Sequence, residues 1–454
     1  MRQSATVLMT CLVVCLAWTN RSVVSQTGDR TADIRRALED GGARNVLLFI
    51  GDGMGDSEIT LARNYTAGAA GHLAMDSLPF TGEYTTYAVT ESDPDMPDYV
   101  TDSAASGTGW ATGTKTSNGR ISTTAQSDRD LKTILEVAQE RGYRTGDVTT
   151  AELTDATPAV LAAHVASRSC QGPSDMTACP QDRKSAGGPG SIAEQMVAHR
   201  VDVLLGGGAS RFAQPTEAGP AVSEVARTSG YHIVGTADEL EAATAPVLGL
   251  FAPGNMSVEW SGAEAIPYPS NIANPQTCTE AVRPANEPSL AAMTAKAIAL
   301  LDRPAGSATG FFLQIEGASI DKQSHAANPC AQIGETIAFD HAIAVGIAFA
   351  RTHPRTLLIV TGDHGHAGQI VGMPTDTDHP SGLMSALRTK EGGTLVVSYA
   401  TNGYHRSQDH TGTEIRVAAM GPQAANVLGV INQTDLFSIL SRAIREPSLL
   451  TEAR

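Results

Sequence analysis

The sequence predicts an α/β protein, a three-layer sandwich in which a central, mostly parallel sheet is covered by helices on both faces. Three observations carry this reading. First, apolar runs of strand length recur at 45–50, 310–315 and 356–361, the composition of strands buried on both faces. Second, each run stops at a glycine and an acid: Gly51-Asp52-Gly53, Glu316-Gly317 and Gly362-Asp363-His364. Third, helical patterns separate the runs. Leu131 to Arg141 has apolar residues at 131, 134, 135 and 138 and is closed by Gly142, and Leu290 to Leu301 and Ile333 to Ala350 are longer examples. In such an architecture ligands collect at the carboxyl ends of the strands, where these acids lie.

Domain organisation follows from composition. At 454 residues and 41% hydrophobic content the chain can build a substantial core. Residues 1–25 read as a signal peptide: Arg2, an apolar run from Val7 to Trp18, and Val23-Val24-Ser25 before Gln26, with an uncleaved membrane anchor as the alternative. Residues 26–454 read as a single domain with irregular excursions near 170–190 and 252–289. No later segment has an uninterrupted apolar run of membrane-spanning length, so no stable membrane association is expected. Past the leader four cysteines remain, and an even number in an exported chain predicts disulfides. Three pairings are open. The short Gly/Pro/Ser/Asp-rich loop between Cys170 and Cys179 favours that pair, leaving Cys278 with Cys330.

The 48 acidic against 32 basic side chains, a formal net charge of -16, exclude a protein that grips nucleic acid through its phosphates. An anionic ligand would need local positive charge from metal ions or a placed arginine. Asp52, in its glycine-rich turn, is a hard oxygen ligand at the sheet edge. Asp363-His364-Gly365-His366 sets an oxygen donor beside two imidazoles. Asp321 and His325, spaced i, i+4, share one face if Ser319 opens a helix, and His410 could complete that set. Mixed Asp/His donors suit zinc, and oxygen donors suit magnesium. His72, His164, His199, His341, His353, His379 and His405 are expected to be ordinary surface or hydrogen-bonded residues. Thr101 to Gly109 reads as a helix start that places Ser103 among free backbone N–H groups. The GxSxG elbow and the GxxxxGK[ST] loop are both missing from the sequence, so Ser103 would need activation by metal.

Taken in order, Gly51-Asp-Gly-Met-Gly-Asp-Ser-Glu-Ile59, Tyr99-Val-Thr-Asp-Ser-Ala-Ala-Ser106, Asp155-Ala-Thr-Pro158, Ser167-Arg168, Glu316-Gly-Ala-Ser-Ile-Asp-Lys-Gln323 and Asp363-His-Gly-His366 resemble the bacterial alkaline phosphatases of the periplasmic enterobacterial type. The resemblance implies hydrolysis of phosphate monoesters through a phosphoserine on Ser103, with Arg168 holding the phosphate. It implies two Zn2+ per subunit, one on Asp321, His325 and His410 and one on Asp52, Asp363 and His364. It also implies one Mg2+ on Asp52, Thr157 and Glu316. Asp102, Asp155, Lys322 and His366 would support these groups from behind, and a periplasmic or secreted homodimer is implied. Thr157, Glu316 and Arg168 come from the resemblance alone. The chain departs from the family at Gly107, Gly109 and Gly365, where alanine is usual; extra glycine is expected to cost about 1 kcal/mol at each helical position.

Overall fold

The computed structural model describes residues 34, 35, 38, 41–269, 272–304, 309–375 and 380–444. The expected signal peptide and His379 lie outside them. The centre is a ten-stranded sheet in the order Val430–Asn432, Phe80–Thr85, Ile415–Met420, Thr356–Gly362, Asn45–Gly51, Phe311–Gly317, Arg144–Glu152, Val203–Gly207, Val247–Leu250 and His232–Val234. Only Ile415–Met420 runs against its neighbours.

The apolar runs divide their residues by the two-residue period of a strand. Val46, Leu48 and Ile50 join a core under the helices Ile134–Glu140, Ala156–Ala162, Ile192–Ala198 and Asp435–Ala443. Leu47 and Phe49 join a second core under Leu290–Leu301 and Pro329–Thr352. Two cores on opposite faces of one sheet make the three layers expected.

Two helix boundaries differ from expectation. Ile134–Glu140 starts three residues late because Thr133 caps it, with Glu136 returning the hydrogen bond in a capping box. The long helix begins early, at Pro329, because Asn328 caps it and proline suits the first helical position. This helix is apolar and long enough to cross a membrane by composition, yet much of it is buried within the fold.

Region 170–190 is a series of short 3-10 turns. Region 252–289 is largely irregular, though Ile266–Pro267 adds an edge to a second, four-stranded sheet with Leu383–Arg388, Thr394–Tyr399 and Gly368–Val371. Disulfides pair Cys170 with Cys179 and Cys278 with Cys330. The second ties the irregular region to the long helix.

Candidate active site

Strand register builds the site. Gly51, Gly317 and Gly362 lie side by side on three neighbouring parallel strands, so Asp52 and Asp363 emerge level with one another, while Glu316, just before its glycine, lies level with Ile50 and Thr361. The turn after Asp52 needs glycine at 53. Its φ is +64°, and a Cβ there would stand 3.0 Å from the Asp321 backbone. That conformation aims the Gly53 N–H at Asp363 Oδ1 (2.7 Å). His364 N–H donates to the same oxygen (2.9 Å), and Asp363 Oδ2 is left buried with no hydrogen bond.

Asp52, Asp363 and His364 form one donor group: His364 Nε2 lies 3.5 Å from Asp52 Oδ1 and 3.3 Å from Asp363 Oδ2. Asp321, His325, His366 and His410 form the next. The helix Ser319–His325 carries Asp321 and His325 on one face as the spacing predicts, with His325 Nε2 3.4 Å from Asp321 Oδ2 and 3.2 Å from His410 Nε2. The two groups adjoin, since the rings of His364 and His410 stack at 3.6 Å.

These separations can be tested against a metal. Ligand atoms about 2.0–2.1 Å from a tetrahedral zinc stand roughly 3.3 Å apart. Both groups match that spacing. The imidazoles are also turned correctly, because Nδ1 of His325, His364 and His410 each meets a backbone carbonyl, of Gln408, Gly365 and Thr101 respectively. Nε2 is thereby freed to face the centre. His366 differs. Its Nδ1 accepts the Ala367 N–H (2.8 Å), so the neutral ring carries its proton on Nε2, 3.3 Å from Asp321 Oδ1. It faces Asp321 at ion-pair distance and offers no lone pair to the centre.

Glu316 accepts a hydrogen bond from Thr149, and Thr157 stands beside it with its buried Oγ1 lacking a hydrogen bond of good geometry. With Asp52 these residues offer an all-oxygen set suited to magnesium.

Electrostatics point the same way. Burial raises the Asp52 carboxyl well above its ordinary range, and Asp321 and Asp363 raise it further. Burial likewise pushes Glu316 up to about 7 and Asp363 up to about 6. His364 is held well below the usual imidazole range by burial and by His410. Asp321 is the exception: burial opposes its charge, but the imidazoles of His366 and His410 hold its carboxyl well below the ordinary range.

Beside these groups Asp102 caps the helix Ser103–Thr112, accepting the Ala105 N–H at 2.9 Å. Ser103 is buried, with Oγ 3.3 Å from Asp52 Oδ1 and 3.2 Å from His364 Nε2. It opens into a cleft of about 690 Å³ together with Arg168, Asp321, His325 and His410. Arg168 donates to Asp155 Oδ1 (2.8 Å) and Asp102 Oδ2 (3.2 Å), while Lys322 donates to Asp155 Oδ2 (2.7 Å). Burial opposes the Asp155 charge, but Lys322 and Arg168 outweigh it and hold the carboxyl well below its ordinary range.

Every site residue named from sequence thus falls within one connected region. Sequence reasoning missed Asn118, whose Oδ1 accepts the Asp102 N–H at 2.8 Å, and Gln433, whose Nε2 donates to Ser106 Oγ (2.7 Å) and Asp363 O (2.9 Å). Neither has a spacing signal, because each arrives from a distant loop.

A hydroxyl at a helix start, held against paired Asp/His donor sets at the carboxyl edge of an α/β sheet, defines a metal-dependent hydrolase that works by transfer to serine. The comparisons with known proteins narrow the class. The family described as "Alkaline phosphatase" matches residues 43–405. The chain is 51% identical over 431 residues to an alkaline phosphatase of Escherichia coli, covering 92% of this chain and 89% of that one. It is 52% identical over 414 residues to a streptomycin-6-phosphate phosphatase of Streptomyces griseus, covering 88% and 90%. Among solved structures, the alkaline phosphatase of Thermus thermophilus superposes with a TM-score of 0.67 at 21% identity, over 95% of this chain and all of the other, which is likeness of fold. The chain belongs to the alkaline phosphatase family, and the donor sets above fit its two zinc ions and one magnesium ion.

Proposed function

We propose that the chain hydrolyses phosphate monoesters by transferring the phosphoryl group to Ser103 and then to water. The observation that carries this is the position of Ser103 Oγ, 3.3 Å from Asp52 Oδ1 and 3.2 Å from His364 Nε2. Asp321, His325 and His410 would hold one zinc, Asp52, Asp363 and His364 the other, and Asp52, Thr157 and Glu316 the magnesium. Bound there, the metals would supply Lewis-acid charge that favours the serine alkoxide and neutralises the departing oxygen.

Ser103 Oγ forms the new bond to phosphorus as the alcohol oxygen leaves. A water oxygen then attacks, and Ser103 Oγ leaves in turn. Arg168 is fixed by Asp155 and Asp102 on its two terminal nitrogens, so its fork approaches the cleft in one orientation and can bind two phosphate oxygens. Lys322 and His366 act through others, Lys322 by neutralising Asp155 and His366 by orienting Asp321. All these contacts fall on the phosphoryl group, so broad tolerance of the alcohol is expected.

Export of the chain is supported by the leader-like residues 1–25 and the two disulfides. A periplasmic or secreted homodimer is the assembly the family supports. Acid quenching during turnover tests the chemistry: phosphate should be trapped on Ser103 in a peptide digest. A trapped phosphate on another residue, or none during a rapid burst, would refute the proposal.

A further inference from the structure

A third donor group stands outside the cleft. Glu136, His164 and His199 were unrelated in sequence, yet their ligand atoms lie within 4.8 Å of one another. His164 Nε2 is 3.3 Å and His199 Nδ1 3.8 Å from the same oxygen, Glu136 Oε1, and the rings are 6.1 Å apart. The separation from the catalytic groups follows from the sheet. Gln139 bridges the His199 carbonyl (2.9 Å) to Thr145 Oγ1 (3.2 Å), and Thr145 pairs with Phe312. Phe312 precedes Glu316 by four residues, roughly 13 Å of strand.

In two of the three residues the atom that does not face the centre of this group is already occupied. His164 Nδ1 lies 3.0 Å from the Ser122 carbonyl, so the neutral ring carries its proton there and presents a lone pair at Nε2. Glu136 Oε2 accepts the Thr133 N–H at 2.8 Å, leaving Oε1 for the centre. Gln195 holds the His164 backbone through both N–H and C=O, at 2.9 and 3.0 Å, from the helix whose end carries His199. His164 and Glu136 are therefore held in place by their own hydrogen bonds, and His199 is brought to them by the end of a third element. Two imidazoles and one carboxylate suit zinc, with a water in the remaining position, and are too rich in nitrogen for magnesium.

We propose that Glu136, His164 and His199 bind an additional zinc ion that ties the ends of the helices Ile134–Glu140, Ala156–Ala162 and Ile192–Ala198 together. The competing reading is a hydrogen-bonded His/Glu group with no ion. Wild-type holoenzyme, H199A and E136Q would be equilibrated with excess zinc and magnesium, desalted and assayed for zinc per chain. Glu136→Gln retains an acceptor for the Thr133 N–H, so it guards against loss of the helix cap. The expected result is one zinc fewer per chain in each variant, with p-nitrophenyl phosphate turnover within about twofold of wild type, since positions more than about 10 Å apart with no shared partner act largely independently. Equal zinc content in all three proteins would overturn the proposal. Anomalous diffraction at the zinc edge from wild-type crystals decides it independently of either variant: a peak among the three side chains supports the site, and its absence refutes it.

Discussion

The two halves of the active site handle negative charge in opposite ways. Around Asp155 the cations are built in: Lys322 and Arg168 bond its two oxygens, and its carboxyl sits well below the ordinary range although it is buried. Around Asp52, Glu316 and Asp363 no Lys or Arg side chain among the described residues bonds the carboxylates directly, and burial raises all three. Protein cations thus complete the phosphate-facing half, whereas the other half is complete only with metal. The division matters because a buried carboxylate without a counter-charge either takes up a proton or recruits a cation. It also predicts which changes abolish turnover and which merely weaken substrate binding.

The largest effect is expected at the boundary of the halves. Replacing Ser103 by alanine should lower turnover of p-nitrophenyl phosphate by at least ~10³-fold, the scale of losing a nucleophile. Zinc and magnesium content should be unchanged, because the serine is not needed to hold either ion. Unchanged turnover would remove Ser103 as the nucleophile, and loss of metal would show that the two functions are not separable.

Acidification should act on the metal-dependent half next. Metal binds the ionised carboxylate, so a proton competes with it below the pKa of the metal-free group. With Glu316 at about 7 and Asp363 at about 6, metal affinity should fall as the pH drops through this range, by up to ~10-fold per pH unit for each group. Asp155, already ionised, should contribute nothing there. Metal content after dialysis at pH 8 and pH 5 measures this, and equal content at both would contradict the charge assignment. In the other half, Arg168→Lys keeps the charge but loses the fork. A fall in kcat/KM of roughly 10–100-fold is expected, the worth of one or two charge-assisted hydrogen bonds. Phosphate inhibition should weaken in parallel with no change in metal content.

The metal-dependent half was largely legible in the sequence. Its candidate ligands follow strands and a helix whose patterns are local: Asp52 and Asp363 after apolar runs, and Asp321 and His325 one helical turn apart. Arg168, Thr157 and Glu316 could be placed only through resemblance, because a residue's charge says nothing about which cleft it reaches. Glu136, His164 and His199 were not legible as a group. Each sits in an ordinary local setting, and they meet only because the helices Ile134–Glu140, Ala156–Ala162 and Ile192–Ala198 pack on the same face. Propensity also failed to distinguish the three unusual glycines, whose surroundings differ.

Those surroundings set the smallest expected effect. A Cβ at Gly107 would stand 2.9 Å from both Val160 methyl carbons, so the helix behind Ser103 crosses Ala156–Ala162 closely because that position is bare. At Gly365 a Cβ would meet Thr413 at 2.5 Å. Gly109 has room: its nearest neighbour would be Gln433 Oε1 at 3.5 Å, an ordinary contact. The backbone cost expected from sequence is therefore recoverable only at Gly109. Gly109→Ala should stabilise the protein by about 0.5–1 kcal/mol, whereas Gly107→Ala should destabilise it by about 1–3 kcal/mol through overpacking against β-branched Val160. Thermal midpoints of the two holoenzyme variants at one fixed metal concentration measure the difference. Because Ser103 begins this helix, G107A should also lower kcat by displacing the hydroxyl relative to Asp52, and G109A should leave kcat unchanged. Equal midpoints for the two variants would show that the helix shifts freely against Val160, and the close crossing would then have no part in fixing Ser103.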